Sequence, residues 1–375
     1  MAKIYLHKKL KNLIVALSIV LVIIVLLTVL LQVGTFCNEE GLKGGTLYDV
    51  ISSVPNISVK NPKINEIAML GSHDAFSDKI STASDSDPGN KGIMASKFFS
   101  ALTKGVSTRF AKTQELDAKG QLSLGVRYFD IRASIIDGEW WTKHGLLSGK
   151  LDEYILQILE FAEEHDGEVI ILDFQHVYLA EFTPHELFRH LSDMKRNGKN
   201  IYDFAEYKAE NYPIGELRYN DVCAGGKTGL VLLFNCEDYD YTFADIESEY
   251  KCYYYDREAD VRSLWHSTCV TTKLVREIDK ECKLLKTTTT YSDKLRINQT
   301  QHTIKADGLY RVIFEWSLLN IADDYNAKLV QNANFNKWLS AMPIFMVDFT
   351  TSKKGDFNAK ANKMIYDYNV RLCNG

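Results

Sequence analysis

The sequence of 375 residues predicts a single α/β domain, built as a parallel (β/α) barrel and preceded by an N-terminal transmembrane helix. Short apolar runs of strand length alternate with helical patterns over about 300 residues, which is typical of a parallel sheet covered by helices. Polar side chains follow most of the predicted strands, as expected where parallel strand ends converge on one face of a barrel. No Gly-x-Gly-x-x-Gly follows the first predicted strand, which disfavours a dinucleotide-binding sheet.

The N-terminal part of the chain predicts a membrane anchor. A basic tail at 1–12 precedes an uncharged apolar segment at 13–33, and a helix of about 20 apolar residues crosses a bilayer core. Lysines precede the segment and acidic residues follow it, so the positive-inside rule puts the tail in the cytoplasm and the rest outside the cell or in a lumen. The alternative, a cleaved signal peptide, would give a secreted protein. A linker is expected at 34–62 and the barrel at 63–375.

In the first half of the barrel, strands are predicted at short apolar runs and helices where apolar residues recur at helical spacing. Residues 168–174 form a nearly continuous apolar run, the pattern of a strand covered on both faces. Leu151 and Ile158 belong to one apolar helix face, and Thr183 and Pro184 suit the N-cap and first position of another helix. The predicted strands are 66–70, 127–131, 140–142 and 168–174, and the predicted helices are 151–165 and 184–195.

The same alternation continues in the second half of the chain. Strands are predicted at 230–234, 311–316 and 343–349, and helices at 271–285, over most of 322–339, and at 357–372. Hydrophobic residues make up 46% of the chain, which is sufficient for a large core. The sequence contains no repeat and no sign of a second core.

Charge and cysteine content argue against nucleic acid binding and against a zinc site. The net charge of -5 gives no reason to expect nucleic acid binding. No Cys-x-x-Cys occurs among the seven cysteines, so a zinc site is not expected. In an exported chain these cysteines are either paired in disulfides or buried as free thiols. Those beyond the linker are Cys223, Cys236, Cys252, Cys269, Cys282 and Cys373.

Polar residues at the predicted strand ends form a candidate catalytic group. Two imidazoles can take and give a proton while a guanidinium holds a phosphate, which is what cleavage of a phosphodiester by an internal hydroxyl requires. Asp130 and Arg132 share one face of their strand because strand side chains repeat every two residues. Singly, each residue fits a structural histidine or a buried ion pair, but together they indicate an active site. The group consists of His73, Asp74, Asp130, Arg132, His144 and Asp348.

Several motifs carry a resemblance to a known family. The most specific are Gly71-Ser72-His73-Asp74, the run 125–132, and His144-Gly145. Together with Thr113-Gln114, Gln121-Leu122, 169–174 and 346–349, they resemble the X domain of phosphatidylinositol-specific phospholipase C. The likeness is to its bacterial and X-domain-only branch. The motifs extend in order from Ile64 to the C-terminus.

The resemblance implies a distorted TIM barrel that cleaves the phosphodiester joining inositol to diacylglycerol. It makes His73 the general base for the inositol 2-hydroxyl, oriented by Asp348. His144 is then the general acid for the departing diacylglycerol oxygen, assisted by Asp74. The implied product is inositol 1,2-cyclic phosphate, formed from phosphatidylinositol or from a glycosylphosphatidylinositol.

One strand determines the expected cofactor. The resemblance implies that Arg132 neutralises the phosphate and that Asp130 holds part of the network of charged residues around it. Calcium-dependent relatives supply metal-binding carboxylates from the same strand, whereas an arginine there supplies the positive charge itself. We therefore expect no metal and no calcium requirement.

The candidate substrate-binding residues depart from the bacterial pattern. Gln175 and His176 stand where bacterial relatives often have a lysine or an arginine, and Asn235 stands where some have an arginine. Trp265 is a candidate wall of the pocket, with core packing as an equal alternative. The contacts to inositol are therefore expected to differ from those of bacterial relatives.

Two other functions and one membrane contact stay open. A glycerophosphodiester phosphodiesterase usually needs a metal and a His-Arg pair near the first strand, where this chain has His73-Asp74. An inositol-lipid binding module without turnover has no need of two histidines with Arg132. Residues 93–106, which include Phe98 and Phe99, are either a segment that dips into the bilayer or a helix packed on the barrel.

Overall fold

The computed structural model describes Val15, Ser18 and Val20 and residues 49–88, 105, 107–205, 212–236, 242–304 and 314–375. Its strands are β1 (Met69–Ser72), β2 (Val126–Ile136), β3 (Glu139–Lys143), β4 (Leu147–Lys150), β5 (Val169–Tyr178), β6 (Gly229–Phe234), β7 (Tyr254–Asp256), β8 (Val261–Ser263), β9 (Leu295–Gln299) and β10 (Ile344–Val347).

The helices lie mainly between the strands. They are α1 (Ile57–Lys60), α2 (Ala118–Ser123), α3 (Leu151–Glu164), α4 (Pro184–Asp193), α5 (Tyr219–Val222), α6 (Ser248–Lys251), α7 (Arg257–Asp260), α8 (Thr271–Thr287), α9 (Leu318–Val330), α10 (Phe335–Ala341) and α11 (Phe357–Asn374). Residues 107–111 are also helical.

Eight strands form a nearly closed parallel barrel in the order β7-β6-β5-β2-β1-β10-β9-β8. Within the described part of the chain, no hydrogen-bonded ladder joins β7 to β8. Strands β3 and β4 extend β2 as an antiparallel flap at the C-terminal end of the barrel. β1 lies at the centre of the order, where Ser72 pairs with Phe129 on one side and Val347 on the other.

The core has two layers because successive strand side chains point to opposite faces. Val169 and Ile171 of β5 belong to the cluster that fills the barrel. Ile170 and Leu172 of the same strand belong to the cluster between the barrel and its helices. All four are fully buried, so the prediction of a strand covered on both faces at 168–174 is confirmed. The outer layer packs on α3, α4, α8, α10 and α11 through Leu159, Leu187, Ile278, Trp338 and Ile365.

One sequence prediction was wrong in the second half of the barrel. Positions 314–316 of the predicted strand 311–316 are a helical turn and coil, and positions 311–313 lie outside the described residues. The barrel strand in this region is β9, which pairs with β10 and was not predicted. For the cysteines, disulfides and buried free thiols were both left open; no disulfide joins the described ones, and Cys223, Cys236, Cys282 and Cys373 carry free thiols. Their burial suits small apolar side chains in a core.

The predicted N-terminal segments are described only in part. The tail 1–12 and most of the span 13–33 lie outside the described residues; Val15, Ser18 and Val20 are helical. Among the described residues, no helix is long and apolar enough to cross a bilayer. Residues 49–62 of the predicted linker pack on the barrel, where Val50, Ile51, Val54 and Ile57 join the inner core cluster.

A buried ion pair fastens this segment to the N-terminal end of the barrel. Arg127 Nε lies 2.6 Å from Glu168 Oε2, and both side chains are fully buried. The remaining oxygen of Glu168 accepts hydrogen bonds from the backbone N–H groups of Ile51 and Ser52 at 3.1 and 2.8 Å. The Arg127 guanidinium also lies 4.7 Å from the ring centre of Phe161. Each charge is paired and hydrogen-bonded, which burial requires.

We expect Arg127→Met to lower the free energy of unfolding by about 3–5 kcal/mol, because it leaves the Glu168 carboxylate buried without a cation. Urea denaturation measures the change. Arg189→Met is the matched control, since Arg189 pairs with Glu186 on the surface at 3.5 Å with 63% of its side chain exposed; it should cost no more than about 1 kcal/mol. Equal losses in the two variants would contradict the role assigned to the buried pair.

Candidate active site

Parallel strand ends bring the candidate catalytic residues together at the C-terminal mouth of the barrel. β1 runs directly into His73 and Asp74, and β10 runs directly into Asp348. β2 carries Asp130 and Arg132. The register between β2 and β5 shifts just before Arg132, and such bulges redirect side chains beside functional sites.

His73 is held between carboxylates. Its Nδ1 lies 2.7 Å from Asp348 Oδ1, and its Nε2 lies 3.3 Å from Asp74 Oδ2 and 3.9 Å from Asp130 Oδ2. Burial alone would lower the pKa of His73, but the charges of Asp74, Asp348 and Asp130 outweigh it and raise that pKa to about 9. Because an ionised carboxylate only accepts, Asp348 keeps the proton on Nδ1 and leaves Nε2 as the reactive nitrogen.

Asp74 is fully buried and shared by three basic side chains. Oδ1 forms an ion pair with Arg132 Nε, and Oδ2 lies 3.3 Å from His73 Nε2 and 3.2 Å from His144 Nε2. Burial alone would raise the pKa of Asp74, but Arg132 and the two histidines lower it to about 2. Its backbone φ is 42°, in the left-handed region that aspartate tolerates better than most residues. This turn directs the carboxylate towards all three partners.

His144 reaches the site from the turn between β3 and β4. Its Nδ1 lies 2.7 Å from the carbonyl oxygen of Ala111, which only accepts, so Nδ1 carries a proton and Nε2 faces Asp74. The rings of His144 and His73 are 6.1 Å apart between centroids and inclined by 72°. Backbone hydrogen bonds from the segment 85–87 hold the turn in place. Two imidazole Nε2 atoms therefore flank one carboxylate.

Arg132 provides the fixed positive charge of the site. Besides its ion pair with Asp74, its Nη2 lies 3.8 Å from Asp130 Oδ2 and 3.3 Å from His73 Nε2. His73, Asp74 and Asp130 each offer a ligand atom, all within 4.8 Å of one another, a spacing that would also suit a metal ion. The guanidinium already pairs with these carboxylates, so the position of a cation between them is taken by the chain itself.

A second polar network adjoins this group and contains residues that the sequence did not single out. Arg257 Nε lies 2.8 Å from Asp173 Oδ2, and Tyr128 Oη donates to the same oxygen at 2.5 Å. Gln175 bridges to the first group. With its amide oriented as these charged partners require, its nitrogen donates to Asp130 Oδ1 at 2.6 Å and its oxygen accepts from Arg257 Nη2 at 2.7 Å. Burial raises the pKa of Asp173 despite the nearby guanidinium. No sequence signal linked Arg257 to the site.

The structure places the four candidate substrate-binding residues differently from one another. The Gln175 side chain forms hydrogen bonds with two charged neighbours within the protein, Asp130 and Arg257. Asn235 is buried and donates to the Gln175 carbonyl oxygen at 3.0 Å. His176 lies close enough to Asp74 to help lower the pKa of that carboxyl. Trp265 follows β8 and is 53% exposed, so it lies at the rim rather than in the core.

Two amide side chains hold the segments that carry His73 and Asp348 through hydrogen bonds to their backbone. Gln114 Nε2 donates to the carbonyl oxygens of His73 and Val347 at 3.1 and 3.0 Å, which ties the ends of β1 and β10 together. Asn326 Nδ2 donates to the carbonyl oxygen of Asp348 at 2.8 Å. Gln114 belongs to one of the motifs in the sequence, whereas nothing in the sequence distinguished Asn326.

The segment 93–106, with Phe98 and Phe99, lies outside the described residues except for Gly105. Its assignment as a membrane-contacting segment or a packed helix stays a prediction.

Comparison with known proteins links this geometry to a family. No protein-family model matches the sequence. The human protein "PI-PLC X domain-containing protein 3" is 34% identical over 167 residues, which cover 43% of this chain and 52% of that protein. The chain therefore aligns with about half the length of the curated relatives it matches.

Solved structures share the fold over most of the chain. A phosphatidylinositol-specific phospholipase C from Staphylococcus aureus superposes with a TM-score of 0.57 and 16% identity, covering 85% of this chain and 98% of the other. The enzyme from Listeria monocytogenes superposes with a TM-score of 0.52 and 17% identity, covering 85% and 99%. Over part of its length the sequence is similar to PI-PLC X domain-containing proteins, and over most of its length the fold is similar to that of bacterial phosphatidylinositol-specific phospholipases C.

Proposed function

We propose that this protein is a metal-independent phosphodiesterase of inositol phospholipids. The observation that carries the proposal is the pair of imidazoles 6.1 Å apart, with Arg132 and a shared buried carboxylate between them. That spacing leaves room for a phosphodiester whose entering and leaving oxygens each face one imidazole. The likeness to PI-PLC X domain-containing proteins and to bacterial phosphatidylinositol-specific phospholipases C supports an inositol lipid as the substrate.

In the first step, His73 Nε2 takes the proton of the inositol 2-hydroxyl. Asp348 stabilises the imidazolium that forms, because its carboxylate accepts from Nδ1 at 2.7 Å. The 2-oxygen attacks the adjacent phosphorus, and the guanidinium of Arg132 stabilises the charge that develops on the phosphate oxygens.

The bond from phosphorus to the diacylglycerol oxygen breaks as His144 Nε2 gives that oxygen a proton. The hydrogen bond from Nδ1 to Ala111 fixes the ring, and Asp74 Oδ2 lies 3.2 Å from Nε2. The products are diacylglycerol and inositol 1,2-cyclic phosphate, since the 2-oxygen stays bonded to phosphorus. Hydrolysis of the cyclic phosphate would use the same two histidines with their roles exchanged.

The metal-independence of this proposal rests on Arg132. A guanidinium paired with two buried carboxylates supplies a permanent positive charge where calcium-dependent relatives would use an ion. A divalent ion placed among the same carboxylates would have to displace it.

We also propose that the protein works at a membrane surface. The uncharged span 13–33 supports a single-pass anchor with the barrel outside the cell or in a lumen, and Phe98 and Phe99 support a second contact with lipid. Secretion after cleavage of the span is the alternative.

Purified protein should convert phosphatidylinositol or a glycosylphosphatidylinositol into a cyclic phosphate in the presence of excess chelator, as followed by phosphorus NMR. His73→Ala should lower the rate by about 10²–10⁴-fold, because the general base is lost. His190→Ala is the control, since His190 pairs with Asp152 on the outside of the barrel. Loss of cleavage in chelator with recovery on added calcium would reject the metal-free mechanism, and lipid binding without turnover would identify a binding module.

The dependence of kcat/KM on pH should reflect His73. As a base it must be unprotonated, and its pKa is raised to about 9, so kcat/KM should rise with pH up to about 9. Asp348→Asn removes a negative charge that raises the pKa of His73, so the acidic limb should move to lower pH while the plateau falls by about 10²-fold. An acidic limb that stays in place in Asp348→Asn would show that another group controls it.

One set of measurements distinguishes the two proposed membrane contacts, the span 13–33 and the pair Phe98 and Phe99. The full chain should stay with membranes through alkaline carbonate extraction, and deletion of 13–33 should release it, because only an apolar span resists that treatment. Phe98→Ser with Phe99→Ser should reduce vesicle binding and spare cleavage of a soluble substrate, since one apolar contact is lost. Release of the full chain would favour a cleaved signal, and equal loss on both substrates would indicate folding damage.

A further inference from the structure

Arg257 is charged and close to the catalytic group, yet no step of the proposed reaction uses it. It is the first residue of α7, directly after β7, and 14% of its side chain is exposed. Its Nε pairs with the buried carboxylate of Asp173 at 2.8 Å, and its Nη2 donates to the Gln175 oxygen at 2.7 Å. The second of these contacts leads to the catalytic residues.

The two neighbours of Gln175 fix the orientation of its amide. A guanidinium only donates hydrogen bonds and an ionised carboxylate only accepts them. With Arg257 on one side and Asp130 on the other, the amide oxygen must face the arginine and the nitrogen must face the carboxylate. The nitrogen then lies 2.6 Å from Asp130 Oδ1 and 3.0 Å from Oδ2.

Gln175 is the nearest hydrogen-bond donor described for the buried carboxylate of Asp130. The backbone N–H of Asp74 is 3.4 Å from Oδ2, and Arg132 Nη2 is 3.8 Å away. Asp130 in turn lies 3.9 Å from His73 Nε2. A buried carboxylate is held in place by the donors and cations that pair with it, so the position of Asp130 beside His73 depends on Gln175.

We propose that Arg257 is a positioning residue for the reaction proposed above: through Gln175, it holds the Asp130 carboxylate in place beside His73 and Arg132. Without Arg257, the Gln175 oxygen loses the guanidinium that anchors it, and the nearest donor to Asp130 is no longer held in one position. The carboxylate can then move away from His73. The site loses one negative charge at the general base although no residue that contacts the substrate has changed.

The effect on His73 has a definite sign. The charged groups that face its ring are Asp74, Asp130, Asp348, Arg132 and His144. The negative charge of Asp130 is one of those that raise the pKa of His73. Its loss must lower the pKa of the imidazole and weaken it as a base.

The competing explanation is that Arg257 only neutralises Asp173, and a double substitution separates the two. Arg257→Met leaves Asp173 buried without a cation and should destabilise the fold. Arg257→Met combined with Asp173→Asn removes both charges of that pair, so stability should largely return. Gln175 remains without a donor for its oxygen in both variants.

The test is an NMR titration of the labelled His73 imidazole in the unliganded protein, together with kcat and KM. In the double variant the pKa of His73 should fall by about one unit, and kcat should fall about 10-fold or more while KM changes little. Gln175→Leu, which keeps both members of the Arg257–Asp173 pair, should reproduce the shift. Arg262→Met is the control, because Arg262 pairs with Glu281 of α8 at 2.8 Å outside the barrel; His73 should titrate there as in the wild type.

A double variant with wild-type His73 titration and kcat would overturn the proposal and leave Arg257 as a partner of Asp173 alone. Should the double variant fail to fold, an unshifted titration in Gln175→Leu would overturn it equally. The titration needs no substrate, so it remains decisive even if wild-type protein cleaves no inositol lipid, a result that would reject the proposed function instead.

Discussion

The site depends on one buried carboxylate. Asp74 has no solvent contact, and three basic side chains from β2, the end of β1 and the β3–β4 turn converge on its two oxygens. Without them, burial of this charge would be too costly for the fold to keep. The same three side chains are the base, the acid and the phosphate-binding cation of the proposed reaction. The interaction that makes the buried charge tolerable therefore also sets the distances between the reacting groups.

The barrel brings Asp74 and its charged partners together by placing β1 between β2 and β10. His73 lies at the end of β1, so its two nitrogens reach carboxylates on different sides, Asp348 from β10 and Asp74 in the adjoining turn. Gly71 of β1 leaves space for the ring of Tyr128: a Cβ at position 71 would lie 2.9 Å from Cδ1 of that ring. The Tyr128 ring fills that space, and its hydroxyl reaches Asp173. A missing side chain on β1 thus supports the polar network on the far side of the mouth.

Sequence patterns predicted the parts of the molecule that local periodicity or a motif encodes. The run 168–174 showed a strand buried on both faces, and the motifs around His73 and Arg132 indicated the catalytic group, which the structure brings together. β7 and β8 were missed because strands of three residues are too short to establish a period. The strand 311–316 was predicted from apolar content alone, but β9 supplies the ladder to β10. Gln175 was assigned to substrate because it stands where bacterial relatives often have a lysine or an arginine. Its contact with Arg257, 82 residues away, leaves no local trace in the sequence.

The ion pair beneath the barrel determines where a tether would be attached. Glu168 fastens Ile51 and Ser52 to the N-terminal end of the strands, whereas the histidines lie at the C-terminal end. If 13–33 is the anchor, the chain that follows it joins the barrel at the end opposite the histidines. Residues 34–48, even fully extended, reach at most about 50 Å. In that case the histidines lie at the end of the barrel farther from the attachment point, so the proposed reaction would reach a facing membrane more directly than the membrane that holds the anchor.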